Sequence, residues 1–169
     1  DTPDPVGGII VRDPGTGEPN GLLIDNAGDI VYSLAFERTD ELLDLAYDGL
    51  LYMMEEMPSQ GITSIADARV YWKRGHHEVW QRAADNNALQ VRTVLGLWGY
   101  PEHDDSQIEI LKSLYSDDPE SLLRISQIKI YADGIPTTTT AAMKEPYDYD
   151  HGWIPGNRGL NYFDEAKMT

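Results

Sequence analysis

The sequence predicts an α/β fold in which three helix–strand pairs follow an N-terminal β-hairpin. Apolar residues recur at helical spacing in three segments, and a short β-type run follows each of them. Strands that alternate with helices form right-handed parallel units. Three such strands are too few for a complete eight-stranded α/β barrel, which takes roughly 200 residues or more. The pattern therefore leaves two architectures open, a small open sheet and a section of a barrel.

The opening segment, residues 1–26, is predicted to be a separate hairpin. Residues 9–11 and 22–24 are short apolar runs, and a turn rich in glycine and proline lies between them. We assign residues 1–26 to this hairpin and residues 27–169 to the α/β part. The α/β part ends in a tail, from Asp133 onward, that is predicted to be mostly loop.

Three helices are predicted between the hairpin and the tail. The first runs from about Thr39, a suitable N-cap residue, to about Met57. The later helices are expected at about 75–87 and 104–116, with a further helical segment at 118–123. The apolar face of the first helix is predicted to consist of Leu42, Leu45, Ala46, Met53 and Met57.

The predicted strands cover residues 61–66, 89–97 and 125–131. Catalytic groups in α/β folds lie where parallel strands end at their carboxyl edge. We therefore expect four residues near the strand ends to line a pocket, and these are Asp67, Trp98, Tyr131 and Asp133.

Lys129 is the most informative residue because it lies inside a predicted strand between Ile128 and Ile130. A buried lysine loses the hydration of its charged form, so it requires a compensating role. That role is a counter-ion, a Schiff base, or carboxylation of the amine to give an anionic metal ligand. Alternatively, the strand lies at the sheet edge and Lys129 points to solvent. The residue pattern leaves both interpretations open.

The composition excludes several classes of protein. The chain carries 29 acidic and 13 basic residues, a formal charge of -16, which predicts no nucleic-acid partner and no anionic membrane surface. No apolar run approaches the ~20 residues that span a bilayer. The absence of cysteine excludes disulfide scaffolds and thiol nucleophiles. Because no signal peptide is recognisable, the expected location is cytoplasmic.

The histidines do not form an obvious metal site. His76 and His77 are adjacent, and adjacent residues on a helix point about 100° apart rather than converging. We interpret them as solvated residues at a helix start. His103 lies in an acidic turn that is predicted to be a plain surface loop.

Several segments, in order along the chain, resemble the amidohydrolase 3 family, the YtcJ-like metal-dependent hydrolases that include N-substituted formamide deformylase. Segment 61–67 (GITSIAD) is similar to a glycine-started strand of the family, and segment 129–134 (KIYADG) to its lysine strand. The other similar segments are residues 2–13 and 21–26 of the hairpin, and residues 140–143, 145–147 and 156–159 of the tail.

This resemblance implies a (β/α)8 barrel that binds one or two divalent metals, typically zinc. The metal activates a water molecule, which attacks the carbonyl carbon of a C–N bond. Lys129 matches the metal-bridging lysine of the family, which is often carboxylated. The family's early His-x-His pair, two later histidines and late catalytic aspartate have no counterpart in this chain. We therefore expect the central part of an enzyme, a partial barrel segment with a hairpin insert.

Two functions follow as hypotheses. The first is a metal-dependent hydrolase that cleaves a non-peptide, amide-type C–N bond of a small molecule as the full-length protein, the isolated chain being inactive. The alternative is a small acidic α/β binding module without catalytic activity. In that case aromatic residues of the tail would contact a partner, and these are Tyr147, Tyr149, Trp153 and Tyr162. Burial of Lys129 favours the enzyme, and full exposure favours the module.

We predict that the isolated 169-residue chain self-associates or is only marginally stable. The outer strands of a partial barrel expose unpaired backbone groups, which favour pairing with other chains. Light scattering and urea unfolding test this prediction. A monomer with a large free energy of unfolding would contradict it.

Overall fold

The computed structural model of this protein describes residues 2–149, 156–163 and 166. The chain divides into two compact units, Asp1–Ala35 together with Tyr131–Thr169, and Phe36–Ile130. The assignment of residues 1–26 and 27–169 to separate domains stays a prediction.

The first unit contains the predicted hairpin. Strands β1 (Gly8–Arg12) and β2 (Pro19–Asp25) pair antiparallel, with Ile10 opposite Leu23. In the connecting turn, the carboxylate of Asp13 accepts hydrogen bonds from the amides of the second and third residues after it, at 2.9 and 2.8 Å. Such Asx turns direct the chain back on itself, so the turn composition accounts for the hairpin.

Helix α1 (Ala27–Ala35) follows the hairpin and was not predicted from the sequence. Only Ala27 is buried in this helix, whereas Val31 is 52% and Leu34 80% exposed. Among the described residues after residue 130, most lie in loops, and a short 3-10 turn covers Pro136–Thr138.

The second unit consists of the three predicted helix–strand pairs. Their order is α2 (Asp40–Ser59), β3 (Ser64–Val70), α3 (His76–Asp85), β4 (Arg92–Trp98), α4 (Ser106–Leu114) and β5 (Leu123–Lys129). The strands form one parallel sheet in the order β3-β4-β5. The α/β class, the three parallel strands and the hairpin are thus confirmed.

The core of this unit lies between one face of the sheet and the helices. The sheet contributes Leu95 and Leu97 of β4, which are 0% and 2% exposed. The helices contribute Met54 from α2, Ala83 from α3 and Leu111 from α4 to the same cluster. Alternation along each strand therefore separates a helix-covered face from an opposite face, which carries the other half of the side chains.

The apolar face predicted for α2 is wrong in its orientation except at Met57, which packs against the core. Leu45 is 68% exposed and Met53 44%, whereas Tyr47 and Met54 are buried at 9% and 1%. Tyr47 turns towards α3, where Asn86 donates a hydrogen bond to its hydroxyl at 2.9 Å. A tyrosine that can bury its ring and satisfy its hydroxyl displaces the expected aliphatic stripe from the core.

Several element boundaries also differ from the prediction, and one predicted helical segment is absent. β3 continues to Val70, three residues beyond the position where the sequence ends it at Asp67. β5 ends at Lys129, so Tyr131 lies outside the strand. Segment 118–123 is not helical, because the chain turns back to the sheet before it enters β5 at Leu123. Within the described ranges, no helix is both long and apolar enough to cross a membrane.

We predict that Thr39→Ala lowers the free energy of unfolding by about 1 kcal/mol. The Thr39 hydroxyl accepts a hydrogen bond from the amide of Leu42 at 3.2 Å and caps the first turn of α2. Urea unfolding of the variant measures the loss. Thr39→Ser is the matched control, since it keeps the capping oxygen, and equal losses in both variants would contradict a capping role.

Candidate functional site

The carboxyl ends of β4 and β5 bring two of the predicted site residues together. Trp98, the last residue of β4, is the register partner of Lys129, the last residue of β5. Paired residues on neighbouring strands point to the same face of a sheet. The sequence placed Trp98 just after one predicted strand and Lys129 near the end of another, and their pairing adds that they are direct neighbours.

Both side chains lie on the face that the helices leave uncovered. The register partners one residue earlier, Leu97 and Ile128, line a groove on the helix side together with Leu111 of α4. Because side chains alternate along a strand, Trp98 and Lys129 point to the opposite face. In an α/β barrel, that face is the interior, and its carboxyl edge is where active sites form.

Lys129 is half-buried, between the two extremes that the sequence left open. Its isoleucine neighbours are largely exposed, Ile128 at 58% and Ile130 at 44%, so the lysine does not lie between buried residues. The backbone at this point is fixed, because the amide of Gly99 donates to the carbonyl of Lys129 at 2.9 Å. β5 is an edge strand of the described sheet, and this agrees with part of the alternative interpretation.

Trp98 is fully buried within a cluster of aromatic rings that follows the ends of β3 and β4. Its ring centroid lies 6.4 Å from those of Tyr71 and Tyr100. The indole of Trp72 donates a hydrogen bond to the backbone carbonyl of Trp98 at 2.8 Å. The guanidinium of Arg69 lies 4.4 Å from the centroid of the Trp98 ring. This cluster surrounds the end of β4, the strand that pairs with Lys129.

The loop after β4 is held by Gln107 at the start of α4. Its side chain accepts from the amide of Tyr100 and donates to the carbonyl of the same residue, each at 3.0 Å. His103 in this loop lies 2.8 Å from the ammonium of Lys73 in the loop after β3. His103 is therefore tied to the neighbouring loop, whereas the sequence predicted a plain surface position. Burial raises the pKa of the Tyr100 hydroxyl well above its ordinary value.

Asp67 does not lie beside Lys129. Its register partner is Leu95, whose side chain is in the helix-covered core, so Asp67 points to the helix side of the sheet. There it borders a cavity of about 320 Å³ between α2 and α3, with Gly49 and His76 among the lining residues. A role for Asp67 in a substrate pocket stays a prediction, but the fold places it on the face away from Lys129.

The two adjacent histidines are more buried than the sequence interpretation expected. His77 is only 8% exposed, and His76 is half-buried beside the ring of Tyr71, at a centroid distance of 5.9 Å. Burial lowers the pKa of both imidazoles, and Arg74 lowers that of His76 further. Their spacing does prevent convergence, as predicted. Among the described residues, no three His, Asp or Glu side chains group as a metal site would require.

Tyr131 and Asp133 belong to the first unit. The Asp133 carboxylate accepts a hydrogen bond from the amide of Ala142 at 2.9 Å, and Asp133 forms a β-bridge with Asn161. The carboxylate therefore holds the tail loop in its local shape. A pocket-lining role for Tyr131 and Asp133 stays a prediction.

The aromatic residues proposed to grip a partner have different environments. Tyr162 is buried at 4% exposure, and the hydroxyl of Tyr147 donates to the carbonyl of Ala141 at 2.8 Å. Tyr149 is 71% exposed. Trp153 lies outside the described residues. The three described residues of this set therefore do not form one exposed contact surface.

Comparison with known proteins decides the family. The sequence matches the model of the amidohydrolase family over residues 1–169. This chain belongs to the amidohydrolase family. It is similar to YtcJ of Bacillus subtilis (strain 168), a protein named as an amidohydrolase, with 28% identity over 99% of the chain and 29% of the relative. It is also similar to LONG AFTER FAR-RED 3 of Arabidopsis thaliana, with 29% identity over 99% of the chain and 28% of the relative.

A solved structure shares the fold. The chain superposes on an uncharacterized metal-dependent hydrolase from Pyrococcus horikoshii OT3 with a TM-score of 0.63 and 16% identity. The superposition covers 93% of this chain and 29% of the hydrolase. The chain thus spans less than a third of the length of the relatives that it matches. The resemblance that the sequence motifs indicated is confirmed.

We predict that the stability of this protein falls as the pH drops through the range in which histidine titrates. Since burial holds the pKa of His77 below the ordinary 6.5, the unfolded chain binds more protons than the folded one. The stabilisation is complete above pH 6.5 and is lost as the pH falls through the lowered folded-state pKa. Melting temperatures of His77→Gln and the unmodified protein, compared between pH 5 and pH 7.5, test this. An unchanged slope in the variant would contradict the assignment.

Proposed function

We propose that this chain is part of a metal-dependent hydrolase that cleaves an amide-type, non-peptide C–N bond of a small molecule. Membership of the amidohydrolase family supports a hydrolase. One structural observation carries the assignment of the site. Lys129 ends a parallel strand on the face away from the helices, with Trp98 as its register partner. That is where an α/β barrel presents catalytic groups.

Lys129 is proposed to serve as a metal ligand after carboxylation of its amine. The neutral amine would add carbon dioxide and release a proton, and the oxygens of the resulting carbamate would suit a divalent cation such as zinc. A metal held there would polarise the substrate carbonyl and lower the pKa of a bound water molecule. Zinc as the metal and a cytoplasmic location stay predictions.

The residues around Lys129 are suited to holding it in one position. The buried Trp98 is its register partner on β4, and the bond from the Gly99 amide fixes its carbonyl. Fixed ligand orientation matters because outer residues that orient a ligand typically change metal affinity by about 10–100-fold. Trp98 is therefore proposed as a wall of the site that also excludes water from the lysine stem.

The isolated chain is proposed to be inactive. Lys129 would supply one ligand, and zinc in catalytic sites takes about three protein ligands and a water. The remaining ligands would have to come from other parts of the full-length protein. This follows from the absence of a three-residue metal cluster among the described residues and from the share of the relatives that the chain spans.

The second candidate function, an acidic binding module, keeps one supporting observation, the exposure of Tyr149. Burial of Tyr162 and the bonded hydroxyl of Tyr147 weigh against it. A module would retain its full function as the isolated chain, whereas the enzyme requires the full-length protein.

We predict that Lys129→Ala in the full-length protein lowers both bound metal and amide hydrolysis by more than about 100-fold, because a ligand matters more than the residues that orient it. Metal analysis of the purified variant and kinetics on a small amide substrate measure the two losses. The isolated chain, assayed in parallel, should show no hydrolysis.

Lys112→Ala is the matched control. Lys112 lies on the exposed surface of α4, where it pairs with Glu109 at 2.7 Å. This variant should retain metal and activity. Retention of full metal content and activity in Lys129→Ala would exclude Lys129 as a ligand.

A further inference from the structure

Strand β3 contains a bulge near its carboxyl end. Asp67 is the register partner of Leu95, and Val70 is the register partner of Leu97. Three steps along β3 therefore correspond to two along β4, so Ala68 and Arg69 together lie opposite Gly96. A bulge of this kind redirects a side chain, and bulges are frequent next to active sites.

Gly96 accommodates this bulge in the middle of the sheet. A Cβ atom at that position would lie 3.1 Å from the carbonyl oxygen of Ala68. A glycine in a central strand normally weakens it, and a close approach of another backbone is one of the reasons that it occurs. Both strands thus contribute to the bulge, since β3 supplies the extra residue and β4 supplies the glycine opposite it.

The bulge changes the face on which Arg69 lies. Regular alternation would place Arg69 on the same face as Asp67, two residues earlier, which is the helix side. Val70 instead lies on the helix side in the core, so the preceding Arg69 points to the opposite face. Arg69, Trp98 and Lys129 therefore stand on three neighbouring strand ends of one face.

Two aromatic rings orient the guanidinium of Arg69. It lies 4.4 Å from the ring centroid of Trp98 and 4.9 Å from that of Tyr71. Cation–π contacts of this kind restrict the side chain, so less conformational entropy is lost when the guanidinium binds a ligand. A planar guanidinium also matches the geometry of a carboxylate through two parallel hydrogen bonds.

The net negative charge of the chain makes a local cation necessary for binding an anionic ligand. A chain with a formal charge of -16 repels anionic small molecules unless a local cation attracts them. Arg69, Lys73 and Arg74 follow one another within six positions, at and just after the end of β3. These three basic residues thus lie at the carboxyl edge of the sheet, the same edge that carries Lys129, and the acidic residues Glu102, Asp104 and Asp105 follow in the loop after β4.

We propose that Arg69 is a specificity-determining residue that binds a carboxylate group of the substrate. The substrate class would be small amides that carry a carboxylate near the scissile C–N bond. This inference rests on the proposed function for the position of the reacting bond, beside Lys129.

The test uses the full-length, metal-loaded protein and two matched probes, N-benzoylglycine and its neutral amide N-benzoylglycinamide. Isothermal titration should show that the carboxylate probe binds about tenfold more tightly or better, as a charge-assisted pair predicts. Arg69→Gln should abolish this preference and leave the affinity for the neutral probe within about twofold. Arg69→Lys should retain part of the preference, because it keeps the charge but not the paired geometry.

Arg92→Gln is the matched control, since Arg92 is exposed at the opposite end of the sheet, where β4 begins. It should keep the preference unchanged. Equal affinity of the unmodified protein for the two probes, or absence of binding by both, would overturn the inference. If Arg69→Gln and Arg69→Lys both lose affinity equally for the two probes, the arginine has a purely structural role. That result would also overturn the inference.

Hydrolysis of either probe is scored separately and reports on the proposed function. Metal-dependent hydrolysis without any preference for the carboxylate keeps the proposed function and overturns the role of Arg69. A preference that Arg69→Gln removes, in a protein without any amide hydrolysis, supports the anion site and contradicts the hydrolase.

Discussion

The parallel pairing of β4 with its two neighbours is the constraint on which the site depends. β4 is the central strand, and its last four residues are all buried. Its helix-side leucines join the core, which leaves its other side chains to form the opposite face. Because the register fixes which residues become neighbours, it places Trp98 beside Lys129, although they are 31 positions apart in the sequence.

The same strand pairing places the titratable residues near the strand ends on two opposite faces of the sheet. Asp67 and His76 lie on the helix side, where they border a largely apolar cavity. Arg69 and Lys129 lie on the other side, at the carboxyl edge. If Lys129 is carboxylated, as proposed, the positive charge of Arg69 on the same face would favour the anionic group, because an opposite charge favours the ionised form. Under the proposed function, the bulge in β3 would then affect the lysine as well as the binding of substrate.

Much of the fold could be predicted because it follows from local patterns. The capping residue Thr39, the turn-rich hairpin and the alternation of helices with strands each depend on a few consecutive residues. The orientation of α2 could not be predicted, since both of its stripes are apolar, and the choice depends on how Tyr47 meets α3. Helix α1 was missed because its apolar side chains do not bury one face of the helix.

The candidate site shows where such patterns stop being sufficient. Trp98 could be found because a strand end is recognisable as the limit of an apolar run, and Lys129 because a lysine between two isoleucines of a predicted strand requires a compensating role. Arg69 could not, because simple alternation assigns it to the wrong face, and the bulge that corrects this depends on a long-range contact. The only local signal was Gly96, a glycine within a strand pattern, which indicates a bulge or a close backbone approach. Such a glycine indicates a departure from alternation, but only the paired strand shows which side chain it redirects.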